Sequence, residues 1–170
     1  MESLQSGTFK FLTAAVVVLA FTLVSRNLPA SPEYVTAAQL ITQKNYLEAI
    51  PHLDRSIQSE PNRTLAYVLR ASAYNSIGQY QKAIYDCNTA ITLNPHEPRA
   101  WTKRAYAYIG QERYLDAVED CDQAISMDPK LAQAYEYRAQ AHKKLGKSEI
   151  ALEDLNRAKE LNVYGASLYR

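Results

Sequence analysis

The chain has 170 residues and carries 19 basic against 18 acidic side chains, a net charge of +1. That balance excludes a strong overall field for gathering nucleic acid or an anionic lipid surface. The length fits one domain with an appendage, and thirteen tyrosines against three phenylalanines point to rings with one face buried and a wet hydroxyl.

In chain order, the first feature is residues 11–24, FLTAAVVVLAFTLV, the one uninterrupted apolar run. As a helix it spans about 21 Å against a hydrocarbon core of about 30 Å. Lys10 and Arg26 at its ends are free to snorkel outward. No clean small-x-small cleavage site and no cysteine comes directly after it, so it is read as an uncleaved signal anchor, with a cleaved secretory signal as the alternative. The anchor reading predicts a single-pass, membrane-associated protein with the remainder on the non-cytoplasmic side, although Lys10 and Arg26 nearly balance across the run. The alternative predicts an exported soluble adaptor. Residues 1–29 are therefore assigned to the anchor or signal and its linker. Ser31-Pro32-Glu33 suits a helix start: a hydroxyl cap, proline in the first turn and an acid near the positive helix end.

From residue 30 onward a 34-residue step governs the chain. Pro61, Pro95 and Pro129 obey it, as do Ala37, Ala71, Ala105 and Ala139, then Ala49, Ala83, Ala117 and Ala151, then Ser56, Ala90, Ala124 and Ala158. Large residues keep the same step at Tyr67, Trp101 and Tyr135, at Tyr46, Tyr80 and Tyr114, and at Ile57, Ile91 and Ile125. Such a period predicts a stacked helical array rather than one closed core. Three small positions per block allow two antiparallel helices to pack closely, and the large residues supply the buried area. Gly78, Gly110 and Gly146 fall near the turn inside a block, and Asn94-Pro95 and Asp128-Pro129 end its second helix. The blocks are 30–63, 64–97, 98–131 and 132–165, with 166–170 as a tail. The first carries Glu33 where the others have an aromatic. The last has Val163 in place of the closing proline.

Two charge ladders share the period. Arg70, Arg104 and Arg138 recur in one slot and Asp86, Asp120 and Asp154 in another, sixteen residues later. The first block lacks both, with Thr36 and His52 instead. Joint presence and joint absence predict arginine–aspartate ion pairs, within a block or between neighbours. Cys87 and Cys121 share a slot with Leu53 and Leu155, which argues for an apolar packing role, and one helix layer separates them too far for a disulfide. His52, His96 and His142 are scattered. The sequence offers no metal-ligand spacing, phosphate-binding glycine loop or nucleophile elbow, so no catalytic residue, metal or cofactor is expected. With cations interleaved among acids, no nucleic-acid stripe is expected either.

The blocks resemble tetratricopeptide repeats, most closely over Trp101, Ala105, Tyr108, Tyr114, Ala117, Ala124 and Pro129. The resemblance covers residues 30–163 and implies an all-α, right-handed solenoid of four helix hairpins, to which the run 11–24 adds an N-terminal hydrophobic helix. The resemblance implies a non-catalytic scaffold whose first helices line a concave groove for a protein or peptide ligand, and the apolar run places that work near a membrane, in assembly, secretion or quality control. Carried onto this sequence, the groove residues are Tyr34, Leu65, Val68, Leu69, Ser72, Arg99, Thr102, Lys103, Tyr106, Gln133, Glu136, Tyr137 and Gln140. That face is apolar early and cationic with aromatics in the middle, which suits a segment with an apolar stretch followed by a carboxylate. Arg99 and Lys103 look like half of the clamp with which some relatives hold chaperone tails. Tyr34, Ala38 and Leu69 stand where that clamp uses a lysine and two asparagines, so chaperone docking is the minor reading. Leu152, Leu155 and Leu161 lack a following block to cover them. The tail 163–170 is expected to fold back over them, with oligomerisation through the last block as the alternative.

Overall fold

The computed structural model describes residues 31–167, with side chains through residue 162. The eight helices among them are α1 Pro32–Thr42, α2 Tyr46–Ser59, α3 Thr64–Ser76, α4 Tyr80–Leu93, α5 Pro98–Gly110, α6 Tyr114–Met127, α7 Ala132–Lys144 and α8 Ser148–Ser167. They pair as four antiparallel hairpins, each packed on the next, and no strand occurs among the described residues.

Each hairpin turns by the same device. One residue takes a left-handed conformation, at Lys44 (φ 63), Gly78 (φ 74), Glu112 (φ 60) and Gly146 (φ 78), all 34 apart. The next N–H then reaches back to a carbonyl in the last turn of the first helix, as Gln79 N–H does to Tyr74 O at 2.8 Å and Arg113 N–H to Tyr108 O at 2.8 Å. This satisfies the carbonyls a helix end leaves open. Gly110 lies two residues outside that slot. Its place is explained by packing: an added Cβ would sit 2.4 Å from the Tyr80 ring.

The core is built of small residues. Ala71, Ala83, Ile84, Cys87 and Ala107 form one buried cluster, and one hairpin later Ala105, Ala117, Cys121 and Ala141 repeat four of these and are joined by Ile109. Alanines bring the helix backbones close, and half-buried tyrosines fill the remaining volume. Cys87 and Cys121 are both buried as free thiols, and burial pushes both pKa values well up.

Two expectations need correction. No helix of the described residues is long and apolar enough to cross a membrane, because these helices keep charged outer faces. The single-pass membrane placement is not supported, and the run 11–24 on which it rested lies outside the described residues. The tail does not fold back from residue 163. Val163 occupies the slot of Pro61, Pro95 and Pro129, so nothing stops the last helix, and α8 runs straight on to Ser167.

Candidate functional site

Consecutive first helices touch one another, α1 to α3 to α5 to α7, whereas consecutive second helices do not. The stack therefore closes along its first helices, and these form the inner face on which the candidate residues sit.

Beneath that face lies a repeated three-way junction. Arg70 reaches Asp86 of its own hairpin with two bonds, Nε to Oδ2 at 2.8 Å and Nη2 to Oδ1 at 2.7 Å, and its Nη1 donates to Asp54 of the preceding hairpin at 2.6 Å. Arg104 repeats this with Asp120 at 2.8 and 2.7 Å and with Asn88 at 2.6 Å. Arg138 does so with Asp154 at 3.0 and 2.6 Å and with Asp122 at 2.6 Å. Each guanidinium lies over the aromatic three residues earlier, Tyr67, Trp101 or Tyr135. That aromatic in turn donates to the carbonyl of Pro61, Pro95 or Pro129 at 3.0–3.3 Å. The planar fork satisfies both partners at once, which a lysine cannot do. The carboxylates hold the Arg70, Arg104 and Arg138 pKa values above the usual arginine range. Burial pushes the Asp86 and Asp120 carboxyls up against the pull of their arginines. The third acceptor escaped the sequence reading, although Asp54, Asn88 and Asp122 also stand 34 apart.

On the inner face itself, Lys103 is partly buried and its Nζ donates to Gln133 Oε1 on α7 at 2.9 Å. No carboxylate lies within ion-pair reach of it among the described residues. Burial, with nearby Arg99 adding to it, holds its pKa below the usual lysine value of 10.5. Arg99 differs, because Glu97 grips its guanidinium at 2.6 and 3.0 Å and accepts from its backbone N–H at 3.3 Å. Its charge is compensated on the spot. Tyr106 stands between Tyr137, with ring centroids 5.0 Å apart, and Tyr80, 6.4 Å away. Burial pushes the Tyr137 hydroxyl up to about 12 and raises that of Tyr34.

Leu65, Leu69 and Ser72 on α3 and Tyr34 on α1 are partly buried, while Gln140 is exposed on α7. Leu69 also packs on the α1–α2 cluster, and Arg63 lies over the Tyr34 ring. Two of the expected groove residues are not on the surface. Val68 is 4 % and Thr102 1 % exposed, because their slot faces the next first helix. Val68 packs with Ala100 of α5. Glu136 occupies the same slot on α7, where no further first helix follows. It is exposed and accepts from Asn162 Nδ2 of α8 at 3.1 Å.

Besides the third acceptors, two residues at the inner face are not marked by the sequence pattern. Tyr80 belongs to a second helix but brings its ring to Tyr106. Asn75 is buried and donates to the Lys103 carbonyl at 2.8 Å, tying α3 to α5 behind the lysine. An amide in a slot held by Ile41 and Ile109 in the neighbouring hairpins, with Lys143 in the last, was the available signal.

Tetratricopeptide repeat models match residues 64–97 and 98–131. No curated protein matches the sequence. Among solved structures, MamA from Desulfovibrio magneticus RS-1 superposes with a TM-score of 0.68 at 20 % identity, over 80 % of this chain and 77 % of that one. The first TPR of Spaghetti (RPAP3), bound to the HSP90 peptide SRMEEVD, gives 0.65 at 23 % identity, over 69 % of this chain and 93 % of the other. The second TPR domain of human RPAP3, in complex with the HSP70 peptide SGPTIEEVD, gives 0.62 at 25 % identity, over 66 % and 93 %. Two matched repeats, a 34-residue period through four hairpins and these shared folds make the chain a member of the tetratricopeptide repeat family.

Proposed function

We propose that the inner face of α1, α3, α5 and α7 holds an extended segment of a partner protein, and that the chain works as a non-catalytic interaction scaffold. The segment is apolar where it crosses Tyr34, Leu65 and Leu69, and acidic where it reaches Lys103. The observation that carries this reading is Lys103, a partly buried ammonium whose one acceptor is the neutral Gln133 amide. A desolvated cation without a counter-ion is costly, and an incoming carboxylate relieves that cost. The rings of Tyr80, Tyr106 and Tyr137 then give the chain of the ligand a rigid aromatic wall. Both RPAP3 domains carry peptides ending in acidic residues, which supports an acidic ligand at such a face. Tyr34, Ala38 and Leu69 favour an apolar lead over the polar one of a chaperone tail.

Crosslinking with mass spectrometry on the full chain tests this, comparing the parent with a Lys103→Glu, Tyr106→Ala double variant that retains its helical circular dichroism. A partner captured by the parent alone supports the reading, and the same partner captured equally by both sinks it. Affinity for that partner is expected to fall as pH rises, and to do so below 10.5. Lys103 loses its proton earlier than a free lysine when burial depresses its pKa. An affinity unchanged up to pH 10.5 excludes Lys103 as the contact.

A further inference from the structure

We propose that the outward face of α8 is a second docking site, separate from the groove, for a helix of a partner protein. That helix carries an acidic residue, an arginine four residues later and a small residue three beyond that.

The chemistry of the occupant is written three times inside the molecule. At each internal junction a second helix offers an apolar residue (Leu53, Cys87 or Cys121), then an acceptor (Asp54, Asn88 or Asp122), then Ile57, Ile91 or Ile125. The following first helix answers with alanine at 66, 100 and 134, arginine at 70, 104 and 138, and alanine at 73, 107 and 141. The arginine meets the acceptor at 2.6 Å in all three cases. Ala107 and Ala141 join the clusters that hold Cys87 and Cys121, and Ile57 and Ile91 pack in those that hold Ala66 and Ala100.

The same register on α8 reads Leu155, Asn156 and Lys159, with Leu152 alongside in the slot of Ile84. Leu152 is 57 % and Leu155 41 % exposed, against 5 % for Ile84 and 0 % for Cys87 and Cys121. The hydrogen-bond acceptor is thus retained, in Asn156, and the apolar pair is retained. One element changes: Lys159 replaces the isoleucine opposite the first alanine. A docking helix therefore needs an acid at that first position, close to its N-terminus, where the helix dipole also favours it.

A second copy in head-to-tail stacking does not meet this requirement. The helix it would present, α1, the first of the described residues, carries Pro32, Thr36 and Gln39 in the three answering slots. It brings neither the arginine nor the alanine.

The test is an NMR titration of the full, isotopically labelled chain with a stapled synthetic helix copying residues 131–146, with Ala134→Glu in the peptide. The expected result is shifts centred on Leu152, Leu155, Asn156 and Lys159. Affinity should fall about tenfold when the peptide carries Arg138→Ala or the protein carries Asn156→Ala, the scale of one charge-assisted hydrogen bond. Lys159→Glu in the protein should weaken the acidic peptide and favour one with Ala134→Lys. Shifts confined to the groove, or affinities indifferent to the charge swap, overturn the proposal. A concentration-dependent dimer in sedimentation that Leu155→Asp abolishes also overturns it, by assigning the face to a second copy.

Discussion

The first hairpin and the three that follow share a backbone but are held by different chemistry. In hairpins two to four an arginine joins two second helices at once, stacks on an aromatic and pairs with a buried aspartate. In the first hairpin Thr36 and His52 fill those slots, and Glu33 replaces the aromatic. There Glu33 on α1 takes His52 and Arg55 on α2 as partners, with side chains a quarter to half exposed. The charge order is reversed, acid on the first helix and base on the second. Pro51 also sits inside α2, where it removes a helix hydrogen bond. Water screens the first network, whereas the later ones work where an unpaired charge is expensive. The lesson is that equal hairpin geometry does not mean equal local stability, so the first hairpin is expected to open first in hydrogen exchange.

The largest expected contrast comes from the arginines. Arg104→Ala leaves Asp120 buried without its partner and should cost roughly 3–5 kcal/mol in chemical denaturation. Arg55→Ala should cost less than about 1 kcal/mol. Replacing Arg104 and Asp120 together by leucine should cost less than the sum of the single changes, and additive losses would dissolve the idea of a coupled junction. Next, Pro51→Glu, the residue at the equivalent Glu119 and Glu153, should stabilise the first hairpin by up to about 3 kcal/mol. Slower exchange of α2 amides would show it, and an unchanged rate would remove Pro51 as a cause of the difference.

Grafting Glu33→Tyr and Thr36→Arg together with His52→Asp should narrow the contrast further, by about 1.5 kcal/mol when all three are present. Leaving out His52→Asp should bring no gain, and a gain from Glu33→Tyr with Thr36→Arg alone would show that the aspartate is dispensable. The smallest effect concerns the turn. Glu112 holds a left-handed conformation where Gly78 and Gly146 serve elsewhere, so Glu112→Gly should raise stability by about 1 kcal/mol. A loss there would mean that the Glu112 side chain makes a contact that outweighs its backbone strain.

The period, the prolines and the small positions were enough to fix a stack of helical hairpins, because a repeat unit too small to bury its own core writes its packing needs at a constant step. The arginine–aspartate geometry was half legible. The partner sixteen residues ahead was seen, and the one sixteen residues behind was not, since a side chain with two forks satisfies neighbours that pairwise spacing treats one at a time. The long apolar run pulled the reading toward a membrane, an inference from composition that the helices of the described residues do not support. Which side of a first helix remains open was decided by tertiary structure alone. Val68 and Thr102 read as surface residues by helical phase, yet close contact between successive first helices buries them and places Asn75 behind Lys103, while the packing of α4 on α5 brings Tyr80 beside Tyr106. Helical phase is a property of one element, whereas burial depends on how far each hairpin turns relative to the last, a quantity that no single repeat contains.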